Sequence, residues 1–216
     1  MSKIRLEFIL FGELLQQPQT GYELQRFMEA AGRFMRANTS MTQVYRSLRA
    51  MEERGWLAHE IEPRLGAQDA KRYRVTSDGK STFYEWLGEP YQPADEPGDP
   101  SFFTQLRFRA QYLGREAAIE LIDSDIAHRR KQISRNRDRD RRERYGPDAP
   151  IDVALTSSLM EWEHQRGVAR MDAHLAACLQ LRELLAGGGL PCAEVPPLLL
   201  PAEQSDLAEQ TSAEVS

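Results

Sequence analysis

The stretch Ser40-Met41-Thr42-Gln43-Val44-Tyr45-Arg46-Ser47-Leu48-Arg49-Ala50-Met51 decides how this chain folds. Ser40, followed by Gln43, is a capping-box pattern in which each side chain satisfies a free backbone N–H at a helix start. Val44, Leu48 and Met51 recur at helical spacing, share one face and should pack inward. Thr42, Gln43, Arg46 and Arg49 then point elsewhere. Gly55 stands where a helix is expected to end on a left-handed residue.

Downstream, Trp56 to Ile61 reads as a strand, Pro63 to Ala70 as a loop containing Gly66, and Lys71 to Val75 as a strand pairing back. Thr76-Ser77-Asp78-Gly79 opens another helix, with Phe83, Trp86 and Leu87 on its apolar face. Upstream, a first helix is expected from Lys3 to Gln16, with Ile4, Phe8, Phe11 and Leu15 at helical spacing and Leu10 and Leu14 widening the stripe. Gln17-Pro18-Gln19 breaks it. Thr20 with Glu23 is a second capping-box pattern, opening a helix whose buried face is Leu24, Phe27, Met28 and Ala31 before a turn at Gly32. Helix, helix, strand, loop, strand is the order of a winged helix-turn-helix. That order offers one helix to a DNA groove and one loop to the neighbouring phosphates.

Residues 88–100 carry Pro90, Pro93, Pro97 and Pro100 with Gly88 and Gly98, a density that no helix or central strand is expected to survive. The expected organisation is a winged-helix domain over 1–89, a Pro-rich linker over 90–100, a helical domain over 101–186 and a disordered tail over 187–216. In the helical part, Phe102 to Leu113 forms a short helix and Arg115 to about Tyr145 a long one, with Ile119, Ile122, Ile126 and Ile133 on a heptad seam. The last helix covers about Ile151 to Leu185, and Leu155, Leu159 and Trp162 start its stripe. Two long helices joined by a tight turn cannot fully cover each other's apolar faces, so the seam is expected to bury against a second copy. The fold class is therefore mainly α: a winged helix-turn-helix followed by a long-helix dimerisation domain.

The chain has 216 residues, 41% apolar and 28% charged, which fits a soluble globular protein. No apolar run is long enough for a membrane span, no secretory leader is visible, and Cys178 and Cys192 make no disulfide framework, so the cytoplasm is expected. The net charge is −5, but residues 1–90 carry 13 Lys+Arg against 12 Asp+Glu, and residues 33–49 hold Arg33, Arg36, Arg46 and Arg49 with no acid. Local potential, not the total, steers a polyanion. No Gly-rich phosphate loop, nucleophile elbow or His-Glu-x-x-His motif is present, so no enzyme activity and no cofactor are expected. His174 and Cys178 lie four apart, but the sequence offers no further ligand, so no metal is expected either.

With these residues located, the chain resembles the PadR family of bacterial transcription regulators. The resemblance rests on Phe11 to Leu15 leading into Gly21-Tyr22-Glu23-Leu24, on Tyr45 and Leu48, on Glu52-Glu53-Arg54-Gly55-Trp56-Leu57, and on Arg72-Tyr73-Arg74-Val75-Thr76 followed by Gly79. It covers residues 1–90 and extends in outline to the helical part. The chain departs from the family at Arg46, where Pro is frequent, and at Trp56, where a smaller aliphatic residue is usual. The resemblance implies a homodimeric repressor, less often an activator. It also implies an inverted-repeat operator on double-stranded DNA and release by a small-molecule effector or other signal.

The candidate DNA-binding residues follow from position. Thr42 and Gln43 sit in the first turn of the recognition helix beside Ser40, where side chains reach base edges; the plain alternative for Gln43 is a cap partner only. Tyr45, Arg46 and Arg49 are candidate phosphate contacts, or else a solvated helix face. Thr20 and Tyr22 open the preceding helix, whose N–H groups can hold a phosphate, although Tyr22 could equally be core. Arg64, Lys71 and Arg72 belong to the wing, or are ordinary exposed charge. Ile119, Ile122, Ile126, Leu155, Leu159 and Trp162 are the candidate dimerisation residues. The basic run from Arg129 to Arg144 reads as a solvated helix end whose Arg and Asp pair at helical spacing, or else as an added DNA-contacting surface. The rival reading is a winged-helix module that contacts protein and binds no DNA specifically.

Overall fold

The computed structural model describes residues 4–63, 69–137 and 150–188. The order is α1 (Leu6–Leu14), β1 (Gln19–Thr20), α2 (Gly21–Glu29), a 3-10 turn (Ala31–Phe34), α3 (Met41–Glu53), β2 (Leu57–Glu62), β3 (Ala70–Val75), α4 (Ser77–Gly88), α5 (Pro100–Tyr112), α6 (Arg115–Asn136) and α7 (Val153–Ala186). This is a mainly helical chain with a winged helix-turn-helix at its start. The chain divides into two compact units, Met1–Arg141 and Arg142–Ser216.

Both capping boxes form. Thr20 Oγ1 accepts from Glu23 N while the Glu23 carboxylate accepts from Thr20 N, and Ser40 and Gln43 do the same for α3. Val44, Leu48 and Met51 are fully buried, as the α3 spacing requires. Gly55 ends the helix at φ 74°, and Trp56 N donates back to Met51 O. β2 and β3 pair antiparallel from Leu57 opposite Val75 to Glu62 opposite Ala70. β1 adds a third strand that sequence periodicity did not reveal, with Gln19 opposite Tyr73 and Thr20 opposite Arg72, so the sheet order is β1-β3-β2. Two residues are too few to show alternation, and this strand exists only because β3 offers an edge.

Helix α1 is shorter than the expected Lys3–Gln16 and is buried on almost every side, from Leu6 to Leu14. It is the central helix of the winged-helix core, which joins α2, α3, α4 and the sheet around Phe8, Phe11, Leu24, Leu48 and Phe83. Gly12 is where α5 comes closest: a Cβ there would lie 2.2 Å from the Phe108 ring. The Tyr112 hydroxyl donates to Gly12 O, and Arg107 pairs with Glu13 at 3.2 Å. Phe108 thus belongs to the same core as α1.

The winged-helix core therefore continues past the Pro-rich segment. Residues 90–99 lack regular structure, as their prolines dictate, but Pro100 opens α5 instead of blocking it. Proline at the first helical position lacks only an N–H that would be unpaired anyway, and Asp99 caps the helix at 2.7 Å. Buried Arg129 then ties the segment down by donating to the carbonyls of Ala94 (2.7 Å) and Asp95 (3.1 Å) while pairing with buried Asp125 at 3.0 Å. The expected continuation of the long helix toward Tyr145, most of the basic run ending at Arg144, and the tail beyond residue 188 lie outside the described residues.

Candidate nucleic-acid interface

Helix α3 has three sides. Its core side is Val44, Leu48 and Met51. Opposite lies an exposed stripe at helical spacing, Thr42, Arg46, Arg49 and Glu53. Arg49 Nε pairs with Glu53 at 2.9 Å, an exposed bond of little energetic weight, whereas Arg46 has no ion-pair partner among the described residues. Ser40 is exposed and caps the helix. Gln43 also caps it, its Oε1 accepting from Ser40 N at 2.9 Å. That bond takes up one of the two lone pairs of the amide oxygen.

One flank of α3 faces the wing across an open groove of about 1260 Å³ lined by Tyr22, Tyr45, Arg49, Glu52, Ile61 and Lys71 among others. Tyr22 is 52% exposed and Tyr45 44% exposed, so neither is core. Tyr45 packs on Gly21, where a Cβ would lie 2.5 Å from the ring. Thr20 is only 1% exposed, because its hydroxyl is enclosed in the capping box.

The wing cations meet acids within the chain. Lys71 Nζ lies 3.3 Å from Glu52 Oε2, and His59 Nδ1 meets the other oxygen of that carboxylate. Burial alone would raise the Glu52 carboxyl, but the bonds from His59 and Lys71 outweigh it and hold the group below the usual carboxylate range. Arg72 pairs with Glu62 at 2.7 Å and Glu23 at 3.5 Å and donates to Pro18 O at 2.9 Å; the Glu62 bond leads in holding its guanidinium more firmly protonated than usual. Arg64 lies outside the described residues.

The other flank of α3 faces the N-terminal end of α1 across a smaller notch of about 250 Å³, bordered by Arg5, Glu7, Arg36, Gln43, Arg46 and Ser47. Of these, only Gln43 and Arg46 are contacts expected from the sequence. Arg5, Arg36 and Arg46 are far apart along the chain and share no period, so only the fold brings them together.

Of the candidate dimerisation residues, Ile122 and Ile126 are buried within the single chain and Ile119 partly so, on a helix packed against α5. Leu155, Leu159 and Trp162 on α7 are instead 57%, 54% and 56% exposed, with Ile151 and Val153 exposed beside the start of that helix. No helix among the described residues is long and apolar enough to cross a membrane.

Comparison with known proteins agrees with the winged-helix reading. Residues 10–85 match the model of the "Transcriptional regulator PadR-like family". Over 97 residues the chain is 34% identical to "Probable transcriptional regulator Rv1176c" of Mycobacterium tuberculosis; the match takes in 44% of this chain and 50% of the relative, so the chain spans about half the length of the curated protein it matches. Solved structures with some likeness include Bacillus subtilis PadR in complex with operator DNA (17% identity, 82% of this chain and 97% of that one, TM-score 0.39). The Vibrio cholerae virulence activator AphA is another (20% identity, 85% and 99%, TM-score 0.34). The segment that carries capped α3 and the β2–β3 wing, residues 10–85, is thus similar to the PadR-like family of transcriptional regulators.

Proposed function

We propose that this protein is a sequence-specific DNA-binding transcriptional regulator working as a homodimer in the cytoplasm, most simply a repressor whose operator binding responds to a small-molecule effector. The observation that carries the reading is the exposed stripe Thr42, Arg46 and Arg49 on a capped helix whose opposite side is fully buried. A helix so held presents polar and cationic side chains to a major groove without disturbing the core. The family match over residues 10–85 and the regulator that shares 34% identity support the same reading.

The partner surface is the exposed apolar start of α7, Leu155, Leu159 and Trp162. These residues resemble the buried face of a two-helix contact left in water, and a second copy would cover it. The dimer would carry two recognition helices to the two halves of an inverted repeat. Leu159→Glu should then shift the protein toward monomer in sedimentation experiments while its helical circular dichroism stays unchanged. An unchanged dimer would move the interface elsewhere.

Selection of bound sequences from a random DNA pool by the full chain, at about physiological salt, tests the function itself. An inverted repeat with half-site centres about 10 base pairs or a multiple apart is the expected result. Recovery of no motif would favour the protein-contact module instead.

A further inference from the structure

We propose that the notch between α1 and α3 seats one DNA backbone phosphate in each half-site, gripped by Arg5 and Arg46 with Arg36 behind them. The proposal rests on the DNA-binding reading and adds to it the place where the backbone is held. Three arginines border a cavity of about 250 Å³, with Gln43 and Ser47 as neutral neighbours and Glu7 as the single acid. Glu7 is itself drawn toward Arg54 at 4.0 Å. Arg36 Nη1 donates to Ile4 O at 3.2 Å, which fixes that guanidinium and the chain entering α1. The Arg5 guanidinium lies 4.7 Å over the Phe8 ring, a stacking that leaves the N–H donors at its edge for an oxygen ligand. Arg46 is exposed and has no ion-pair partner among the described residues.

Such a set matches a tetrahedral oxyanion better than any other ligand. Guanidinium forks bind phosphate oxygens in pairs, and an unmatched cluster of them is costly until an anion arrives. The notch lies beside the first turns of α3, next to the exposed stripe. A strand whose bases face Thr42 would bring its phosphates to one flank of the helix or the other. The wing flank meets it with Glu52, Glu53 and Asp69 among its lining residues, the notch with one acid against three arginines.

The test compares wild type with the double variant Arg5→Ala/Arg46→Ala, both exposed positions whose loss spares the core. Arg36 is left in place because it holds Ile4. Affinity is measured against the selected operator and against random duplex over a range of salt, and phosphate ethylation interference maps the backbone contacts. The expected result is the same selected motif, affinity lower by roughly tenfold or more on both duplexes, and a salt slope shallower by about one unit per half-site. One ethylation-sensitive phosphate per half-site should disappear in the variant. Unchanged affinity and slope would overturn the proposal. So would a variant that loses base preference at one position, because Arg46 would then read a base and not the backbone. If the wild type binds no duplex, the DNA-binding reading fails and this inference fails with it.

Discussion

The wing strand β3 and the α1 flank of α3 carry similar numbers of cations and opposite consequences. Along β3 each cation has an acid from a neighbouring element: Lys71 meets Glu52, Arg72 meets Glu62 and Glu23, and Arg74 approaches Glu60 at 3.8 Å. On the α1 side, Arg5, Arg36 and Arg46 share a notch with Glu7 alone. The antiparallel register explains much of the difference. It sets Glu60 opposite Arg72 and places Glu62 within diagonal reach, so the hairpin neutralises itself. The notch is assembled from an N-terminal segment, a loop and a helix, and no register pairs their charges. A count of basic residues ranks the flanks as equals, whereas a count of unmatched ones does not.

The comparison is broken most forcefully by changing shape and not charge. On the wing flank Gly21 lets Tyr45 lie flat against the start of α2. Gly21→Ala would place a methyl group 2.5 Å from the ring, so Tyr45 or the helix start must shift. Overpacking of this kind costs about 1–3 kcal/mol, readable as a lower urea midpoint at unchanged slope. Operator affinity should fall with it, by more than any single wing-charge removal causes. A variant of wild-type stability would mean that Tyr45 is free to swing away, and that the wing flank lacks the fixed shape ascribed to it.

A smaller effect comes from removing the acid at the centre of the wing flank. Glu52→Gln keeps the size of the side chain but releases Lys71 and His59. Operator affinity should rise a few-fold, and the salt slope should steepen by up to about one unit per half-site, as Lys71 becomes available to a phosphate. Stability should respond to pH in a definite sense. The Glu52 carboxyl is held below its usual range in the folded chain, burial opposing and the His59 and Lys71 bonds prevailing. Its contribution is therefore present above the ordinary glutamate value and is lost as pH falls through the lowered one. Glu13 should act in the opposite sense, since burial outweighs Arg107 and raises its carboxyl. Folding should gain from Glu13 as pH falls into the window between its ordinary and raised values. Thermal melts across acid pH should show the Glu52 part of the acid limb missing in Glu52→Gln, and a stabilised neutral form in Glu13→Gln. Acid limbs identical to wild type would sink both assignments.

What could be read from the sequence was what a few neighbouring residues decide among themselves. Thr20 with Glu23 and Ser40 with Gln43 are capping boxes because their partners lie within one helical turn, and both formed as the pattern requires. The α3 core face followed from its spacing for the same reason. The part of the site made by distant residues was not legible. Arg72 looked like a free wing cation because Pro18, which takes one of its N–H bonds, is 54 residues away. Arg5 carried no signal and Arg36 only that of an acid-free stretch, since a cation entering α1 gains meaning only when α3 is packed beside it. The Pro-rich segment looked like a boundary, yet Arg129 holds its carbonyls from α6 and Gly12 admits Phe108 from α5. A close approach that only glycine allows, and an arginine that satisfies carbonyls more than 30 residues away, leave no periodic trace.

The smallest effect is the one that sharpens the comparison most. If Lys71 is already engaged by Glu52, then Lys71→Ala alone should change operator affinity by about twofold or less and leave the salt slope nearly as it was. The double variant Glu52→Gln/Lys71→Ala should then lose the gain expected of Glu52→Gln. The gain depends on a freed ammonium, which the double variant lacks. The coupling between the two substitutions in a double-mutant cycle thus measures how far the wing is held back by its own acid. Strict additivity, with Lys71→Ala alone weakening binding on every duplex and removing about one unit of slope per half-site, would mean that Lys71 leaves Glu52 for the DNA at no net cost. The wing would then hold the backbone as firmly as the notch, and the asymmetry between the two flanks would be a property of the free protein only.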